Sequence, residues 1–184
     1  GAGAGFSTLR FLLQWLRHHL LLNCVKGTKA SILFHNPYNH ARLIMDINRA
    51  EREQQRYIVL IDELRAQTSE NALVEFKENN TDKEMIGRLC SALANAARVD
   101  NQDFAYVVWG IRDSDHAVIG TSFEPDKQTV NNQGFQIWLA QRLKPSIAFS
   151  FRTIQHPAGK VVLLEIPAAT TAPVEFDKTA YIRI

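Results

Sequence analysis

The sequence lacks the features that mark several large classes of protein. Its 184 residues contain only two cysteines, Cys24 and Cys90, which do not amount to a disulfide framework and favour a reducing compartment. Its most apolar stretch, residues 6–25, is broken by arginine, histidine and glutamine side chains, whereas a membrane-spanning helix needs about 20 mostly apolar residues. We therefore predict a cytoplasmic protein that does not enter a membrane.

Several catalytic and cofactor motifs are also missing. The chain has no P-loop, no Gly-x-Gly-x-x-Gly sequence, no nucleophile-elbow motif and no cysteine or histidine set at zinc spacing. These absences give no support to a nucleotide, dinucleotide or zinc cofactor. We expect no organic cofactor.

The composition is that of a folded protein with an uneven charge distribution. The chain is 46% hydrophobic and 22% charged, and its formal net charge is +2. Residues 1–60 carry 8 basic and 3 acidic side chains, residues 61–126 carry 6 and 13, and residues 127–184 carry 7 and 3. An acidic middle between basic ends is compatible with a carboxylate cluster beside a phosphate-binding surface, or with charges scattered over any soluble surface.

The hydrophobic pattern predicts two parts. Residues 1–60 read as an N-terminal helical extension, because apolar residues recur at helical spacing near both of its ends. Residues 61–184 read as a domain in which a strand, a helix, two strands, a helix and three strands follow one another. This order predicts a mixed α+β fold with helices packed on a largely antiparallel sheet. The helices of this domain are expected to start at a Thr-x-x-Glu capping box at Thr81 and at Asn132, and its last strand is expected at residues 181–184.

Three acidic residues are candidates for a metal site. Glu75 and Lys77 alternate with apolar residues on a predicted strand, so they share one face of it. Glu70 precedes this strand, and Asp113 follows the next apolar strand. If the two strands are neighbours, the three carboxylates converge at the end of the sheet, where Mg²⁺ or Mn²⁺ would offset their repulsion and activate water. The alternative is that Glu75 and Lys77 pair on the sheet and Asp113 serves a turn.

A series of short motifs follows in a specific order between residues 61 and 184. They are Glu70 with Glu75-Phe76-Lys77, Ser91-Ala92-Leu93-Ala94-Asn95, Trp109-Gly110-Ile111-Arg112-Asp113, His116-Ala117-Val118-Ile119-Gly120-Thr121, Pro145, Pro173-Val174-Glu175-Phe176 and Tyr181-Ile182-Arg183-Ile184. In this order they resemble the DNA-binding domain of the Schlafen/AlbA type, which is common at the N-terminus of bacterial ATP-binding proteins and transcriptional regulators. The resemblance does not cover residues 1–60. The family often has a Gly-Gly pair before the central strand, and this chain has a longer polar loop there.

The resemblance implies nucleic-acid binding as the first function, with DNA the expected ligand of a bacterial transcriptional regulator. Phosphate contacts would come from cations of the basic C-terminal part, namely Arg142, Lys144, Arg152, Lys160 and Arg183. Tyr181 or Phe151 would offer a ring on which a base stacks, unless these two rings belong to the core.

The resemblance implies metal-dependent RNA cleavage as the alternative function. Some animal Schlafen proteins cut RNA with a Glu, Glu, Asp triad. Glu70 and Glu75 match the spacing of its two glutamates, and Asp113 follows as the third acid. Lys77 would be the neighbouring cation that stabilises a phosphate.

The helical extension supports a third interpretation, a module for protein interaction. The apolar face of residues 6–24 would pack against a second copy of the chain to form a homodimer, or it would dock onto its own domain.

Overall fold

The structure, a computed structural model, describes residues 37–67 and 72–183. The chain divides into two compact units, Gly1–Gln55 and Arg56–Ile184. The predicted helix over residues 6–24, and with it the predicted homodimer contact, lies outside the described residues, and so does Glu70.

The described part contains three α-helices, nine strands and a short 3-10 turn at Pro125–Lys127. The helices are α1 (Pro37–Ala66), α2 (Lys83–Val99) and α3 (Phe135–Arg142). The strands are β1 (Val74–Lys77), β2 (Phe104–Trp109), β3 (Thr129–Val130), β4 (Gln133–Gly134), β5 (Leu143–Lys144), β6 (Ser150–His156), β7 (Gly159–Pro167), β8 (Glu175–Phe176) and β9 (Thr179–Ala180). Within these residues, no helix has the length and the apolarity that crossing a membrane requires.

Helix α1 is continuous over 30 residues although its middle is almost wholly polar. It begins at Pro37, because proline suits the first helical position, where the backbone N–H would have no helical partner. Its last turns bury Ile61 and Leu64, and the half-buried Tyr57 and Ile58 pack beside them. The C-terminal end of α1 is therefore part of the hydrophobic core.

A four-stranded sheet in the order β1-β2-β7-β6 forms the centre of the Arg56–Ile184 unit. β1 and β2 are parallel, whereas β2, β7 and β6 are antiparallel. On one face, the end of α1 packs on the sheet through a cluster with Ile61 and Val108, the α1-side core. On the other face, α2 and α3 pack through a larger cluster with Leu93 and Trp109, the α2-side core. The predicted α+β fold with a largely antiparallel sheet is confirmed.

Helix α2 begins one residue later than its predicted capping box. The N-cap is Asp82 rather than Thr81, since the carboxylate of Asp82 accepts a hydrogen bond of 2.7 Å from the backbone N of Met85. A carboxylate also interacts favourably with the partial positive charge at a helix N-terminus. The prediction of a Thr-x-x-Glu box is therefore wrong at this helix end.

Helix α3 begins at Phe135, later than the predicted start at Asn132. The preceding residues form a hairpin in which Thr129–Val130 pairs with Gln133–Gly134. Its two turn residues, Asn131 and Asn132, have positive φ angles of 49° and 64°. Two-residue hairpin turns of type I′ need positive φ at both central residues, and asparagine tolerates it better than most residues.

A second, smaller sheet has the order β5-β8-β9 and lies beside α2. The chain turns between β8 and β9 at Asp177 and Lys178, whose φ angles are 47° and 68°. Phe176 of β8 packs against Gly87 of α2, where a Cβ would overlap its ring. The last predicted strand is wrong, because the final strand ends at Ala180 and no strand continues through the described residues after it.

Candidate functional site

Glu75 lies on the open edge of the four-stranded sheet with two cations beside it. β1 is an edge strand, and its residues Val74 and Phe76 are buried in the α1-side core. Glu75 and Lys77 share the opposite face. Oε1 of Glu75 pairs with Nζ of Lys77, and Oε2 accepts a hydrogen bond from the guanidinium of Arg183. The interpretation of Glu75 and Lys77 as an ion pair on the sheet is confirmed.

Arg183 fastens the end of the described chain to this edge. Besides its contact with Glu75, its Nη1 donates a hydrogen bond of 3.2 Å to the carbonyl oxygen of Val74. The side chains of Glu75 and Arg183 are only 15% and 24% exposed. Arg183 was predicted to contact phosphate, but in this structure its guanidinium is engaged by β1.

Of the other two acids of the predicted triad, Glu70 lies outside the described residues. Asp113 is exposed in the turn that follows β2. An ion pair of 2.9 Å between Arg112 and Asp115 closes this turn. A hydrogen bond from the backbone N of Ala117 and the nearby Arg112 hold the pKa of Asp115 below its usual value.

The described residues do not by themselves fit a divalent cation. No group of three histidine, cysteine or acidic side chains suited to a metal occurs in residues 37–67 and 72–183. Each carboxylate oxygen of Glu75 already faces a cation, so a metal would have to displace Lys77 or Arg183. Because β1 and β2 are parallel, their C-terminal ends lie side by side, with Lys77 opposite Trp109. The metal site that includes Glu70 stays a prediction.

Two of the predicted phosphate-binding cations, Arg142 and Lys144, lie two residues apart where α3 meets the small sheet. Arg142 ends α3, and its guanidinium stacks 4.4 Å from the ring centre of Trp138. Lys144 is exposed on β5, opposite Glu175 of β8. Asp177 connects Arg142 to the β8–β9 turn. Its backbone N donates a hydrogen bond to the carbonyl of Arg142, and its Oδ2 lies 3.4 Å from Nε of Arg142.

A third cation, Lys178, belongs to the same region and was not among the sequence candidates. It is exposed at the tip of the β8–β9 turn, next to Asp177. We call Arg142, Lys144 and Lys178 the basic hairpin surface. The charges of Glu175 and Asp177 partly offset it, which leaves one net positive charge among these five side chains.

Arg152 and Lys160 lie on opposite faces of the central sheet. Arg152 of β6 has its guanidinium 5.6 Å from the ring centre of Tyr57, on the α1 side. Lys160 of β7 alternates with Val161, which belongs to the α1-side core, so its side chain is on the α2 side. Its Nζ lies 3.9 Å from Oε1 of Glu124. The five predicted cations are therefore not gathered on one surface.

The two aromatic candidates have different surroundings. Phe151 contacts the rings of Trp109, Phe123 and Phe135 at 6.0–6.1 Å between centroids, so it is part of the aromatic core. Tyr181 is half-buried and also lines a surface cavity. Phe151 is half-buried as well, but of the two residues only Tyr181 lines this cavity.

Two buried polar side chains of α2 fix the C-terminal segment. Asn95 Oδ1 accepts from the backbone N of Val174 at 2.7 Å, and its Nδ2 donates to the carbonyls of Val174 and Tyr181 at 2.9 and 2.7 Å. The hydroxyl of Ser91 donates to the carbonyl of Val174 at 2.6 Å and accepts from the backbone N of Tyr181 at 2.9 Å. We call Ser91 and Asn95 the polar clamp.

Two solved structures are similar to this chain over about the same share of its length. The N-terminal domain of a RecG-related protein from Nitrosomonas europaea has 24% identity and a TM-score of 0.44, covering 69% of this chain and 87% of that one. The DIP2311 protein from Corynebacterium diphtheriae has 16% identity and a TM-score of 0.38, covering 70% of this chain and 24% of that one.

Among curated proteins, none matches the chain significantly. The sequence model of one family, described as Schlafen, AlbA_2, matches residues 70–184, which is more than half of the chain. The matched range includes the series of short motifs found in the sequence, both residues of the polar clamp and the basic hairpin surface. The chain therefore belongs to the Schlafen, AlbA_2 family.

Proposed function

We propose that this chain binds nucleic acid through the basic hairpin surface. Its family and the DNA-binding role implied by the resemblance give the ligand class. The observation that carries the proposal is the arrangement of Arg142, Lys144 and Lys178 around the β8–β9 turn, where the two lysines are exposed. Lys178 lies in this turn and Lys144 on the neighbouring strand, and exposed lysines can reach backbone phosphates without rearranging the core.

The neighbouring acids limit this surface to a modest affinity. Asp177 lies 3.4 Å from Arg142, and exposed pairs of this kind contribute about 0–1 kcal/mol. A phosphate group can therefore replace the carboxylate at small cost. Three phosphate contacts predict that the logarithm of the binding constant falls with the logarithm of salt concentration with a slope of about −2 to −3.

The proposed ligand is DNA, in keeping with a bacterial transcriptional regulator. Phosphate contacts fix orientation but carry no base sequence information. We therefore expect these three cations to distinguish nucleic acid from other polyanions only weakly. Base recognition has to come from a second site.

The test is fluorescence anisotropy with labelled duplex DNA, single-stranded DNA and RNA over a range of salt concentrations. The double substitution Lys144→Gln and Lys178→Gln should lower the salt slope by about 2 and weaken binding to all sequences alike. Lys127→Gln is the matched control, because Lys127 is 73% exposed and lies outside the basic hairpin surface. Equal losses in the double variant and the control would contradict the proposed surface.

We propose metal-dependent RNA cleavage as the second candidate function. The parallel pairing of β1 and β2 favours it, because Lys77 and the turn with Asp113 leave the sheet at the same edge. The ion pairs of Glu75 argue for the opposite, a structural role. Incubation of structured RNA with Mn²⁺ decides between them: Glu75→Gln abolishes cutting if the carboxylate is catalytic, whereas cutting that survives this substitution excludes the carboxylate mechanism.

A further inference from the structure

An open cavity of about 500 Å³ lies at the C-terminal end of α2. Its walls are the last turn of α2, the segment at 169–173 and the segment at 180–182. Small-molecule sites in proteins usually have volumes of about 300–1,000 Å³. The cavity is therefore large enough for one nucleotide-sized ligand.

Hydrogen bonds to α2 hold each wall of this cavity in place. The backbone N of Ala169 donates to the carbonyl of Ala94 at 2.9 Å. The side chain of Asn95 holds the backbones of Val174 and Tyr181. Since these contacts are buried or half-buried, the cavity does not need to be assembled when a ligand arrives.

The lining combines an apolar wall with a cation at the rim. Val99 and Ile182 are 70% and 54% exposed, and both line the cavity, so together they offer a ligand an accessible apolar surface. Arg98 lies in the last turn of α2, and its side chain has no ion pair or hydrogen bond with any residue the structure describes. The polar lining comes from Asn95, Thr170, Thr171 and Tyr181, and no acidic side chain is among the lining residues.

We propose that this cavity binds one nucleotide unit of a single-stranded nucleic acid. The base would lie against the ring of Tyr181 and the apolar wall, and Arg98 would contact the phosphate. Bases stack on aromatic side chains regardless of their sequence, and an arginine offers phosphate a planar set of donors. The threonine hydroxyls are available for the polar edge of the base. This inference rests on the proposed function and adds the site where a base is held.

The first experiment uses adenosine monophosphate as the probe and amide NMR spectra of the intact chain as the readout. Addition of the nucleotide should shift the amide signals of Arg98, Thr171 and Tyr181. Adenosine and inorganic phosphate, each alone, should cause smaller shifts at the same concentration, because each lacks half of the contacts. Shifts confined to other residues, or equal shifts with inorganic phosphate, would overturn the proposal.

The second experiment measures binding of a labelled oligothymidylate to cavity variants. Arg98→Gln should weaken binding about tenfold, the effect of one charge-assisted contact. Arg88→Gln is the matched control, since Arg88 is an exposed arginine of the same helix that does not line the cavity. Ala172→Trp, at an exposed lining position, should block the cavity and weaken binding further.

The outcomes separate this inference from the function on which it rests. If the oligonucleotide binds with a steep salt dependence but neither cavity variant weakens it, the cavity proposal is wrong and binding through the basic hairpin surface stands. If no oligonucleotide binds at any salt concentration, the proposed function itself is wrong. Binding of adenosine monophosphate without binding of oligonucleotides would identify the cavity as a site for free nucleotides and would contradict its role in strand recognition.

Discussion

Asn95 forms two hydrogen bonds with the backbone of Val174, one in each direction, across 79 positions of the sequence. Its amide thus takes the place that a neighbouring strand would occupy in a sheet. The residues before β8 need this partner, because Val174 is fully buried and has no strand partner of its own. The polar clamp joins α2 to the segment that carries the basic hairpin surface and one wall of the cavity.

Loss of the clamp should destabilise the whole domain. Asn95→Ala leaves the backbone N of Val174 without its partner in the core and removes a donor from two carbonyls. We expect a loss of about 2–4 kcal/mol in the free energy of unfolding, measured by urea denaturation. Arg88→Ala on the exposed side of the same helix is the control and should change it by less than about 0.5 kcal/mol. Equal stability of the two variants would contradict the role of the clamp.

Gly87 should resist replacement by alanine although alanine is the better helix former. In an exposed helix this substitution adds about 1 kcal/mol of stability. Here the new Cβ overlaps the ring of Phe176, so Gly87→Ala should instead destabilise by about 1–3 kcal/mol. Thermal unfolding measures the sign directly. Adding Phe176→Leu should make the effect of Gly87→Ala smaller, and a stabilised Gly87→Ala variant would show that the close packing is absent.

The Cys90 thiol should make stability fall at alkaline pH. Burial in the α2-side core raises the pKa of this thiol well above its usual value. Its contribution to stability is fully present below the pKa of an unfolded cysteine, about 8.5, and is lost progressively as pH rises above that value. The stability difference between the natural chain and Cys90→Ala should therefore shrink between pH 7 and pH 10. A difference that is constant over this range would contradict the buried, neutral thiol.

Glu75 should be coupled energetically to Arg183. Glu75→Ala leaves Lys77 and Arg183 close together without their shared counter-charge, and we expect a loss of about 1–2 kcal/mol because the site is partly exposed. In a double-mutant cycle, Arg183→Gln should cost much less in the Glu75→Ala background than in the natural chain. Additive effects would show that the contact contributes nothing to stability.

The pattern of apolar residues along the sequence predicted those features that depend on neighbouring residues of the chain. β2 was predicted because a strand buried on both faces needs an almost continuous apolar sequence. The pairing of Glu75 with Lys77 follows from the alternation of side chains along a strand. The ends of α2 and α3 were less accurate, because Asp82 and the turn at Asn131 compete locally with the predicted starts.

Contacts between distant residues could not be derived from spacing. Arg183 reaches Glu75 over 108 positions, and no periodic pattern indicates that pair. Lys178 was missed because β8 and β9 have only two residues each, too few for an alternating pattern. The family resemblance did select Ser91, Asn95 and the closing motifs, and the polar clamp explains physically why those residues occur together.

The most direct measurement is the salt dependence of nucleic-acid binding. It is measured by fluorescence anisotropy for the natural chain and for the variant with Lys144→Gln and Lys178→Gln. We expect micromolar binding near 0.1 M salt, with a log–log slope of about −2 to −3 whose magnitude falls by about 2 in the variant. A flat salt response in the natural chain, or the same slope in both proteins, would contradict binding through these cations.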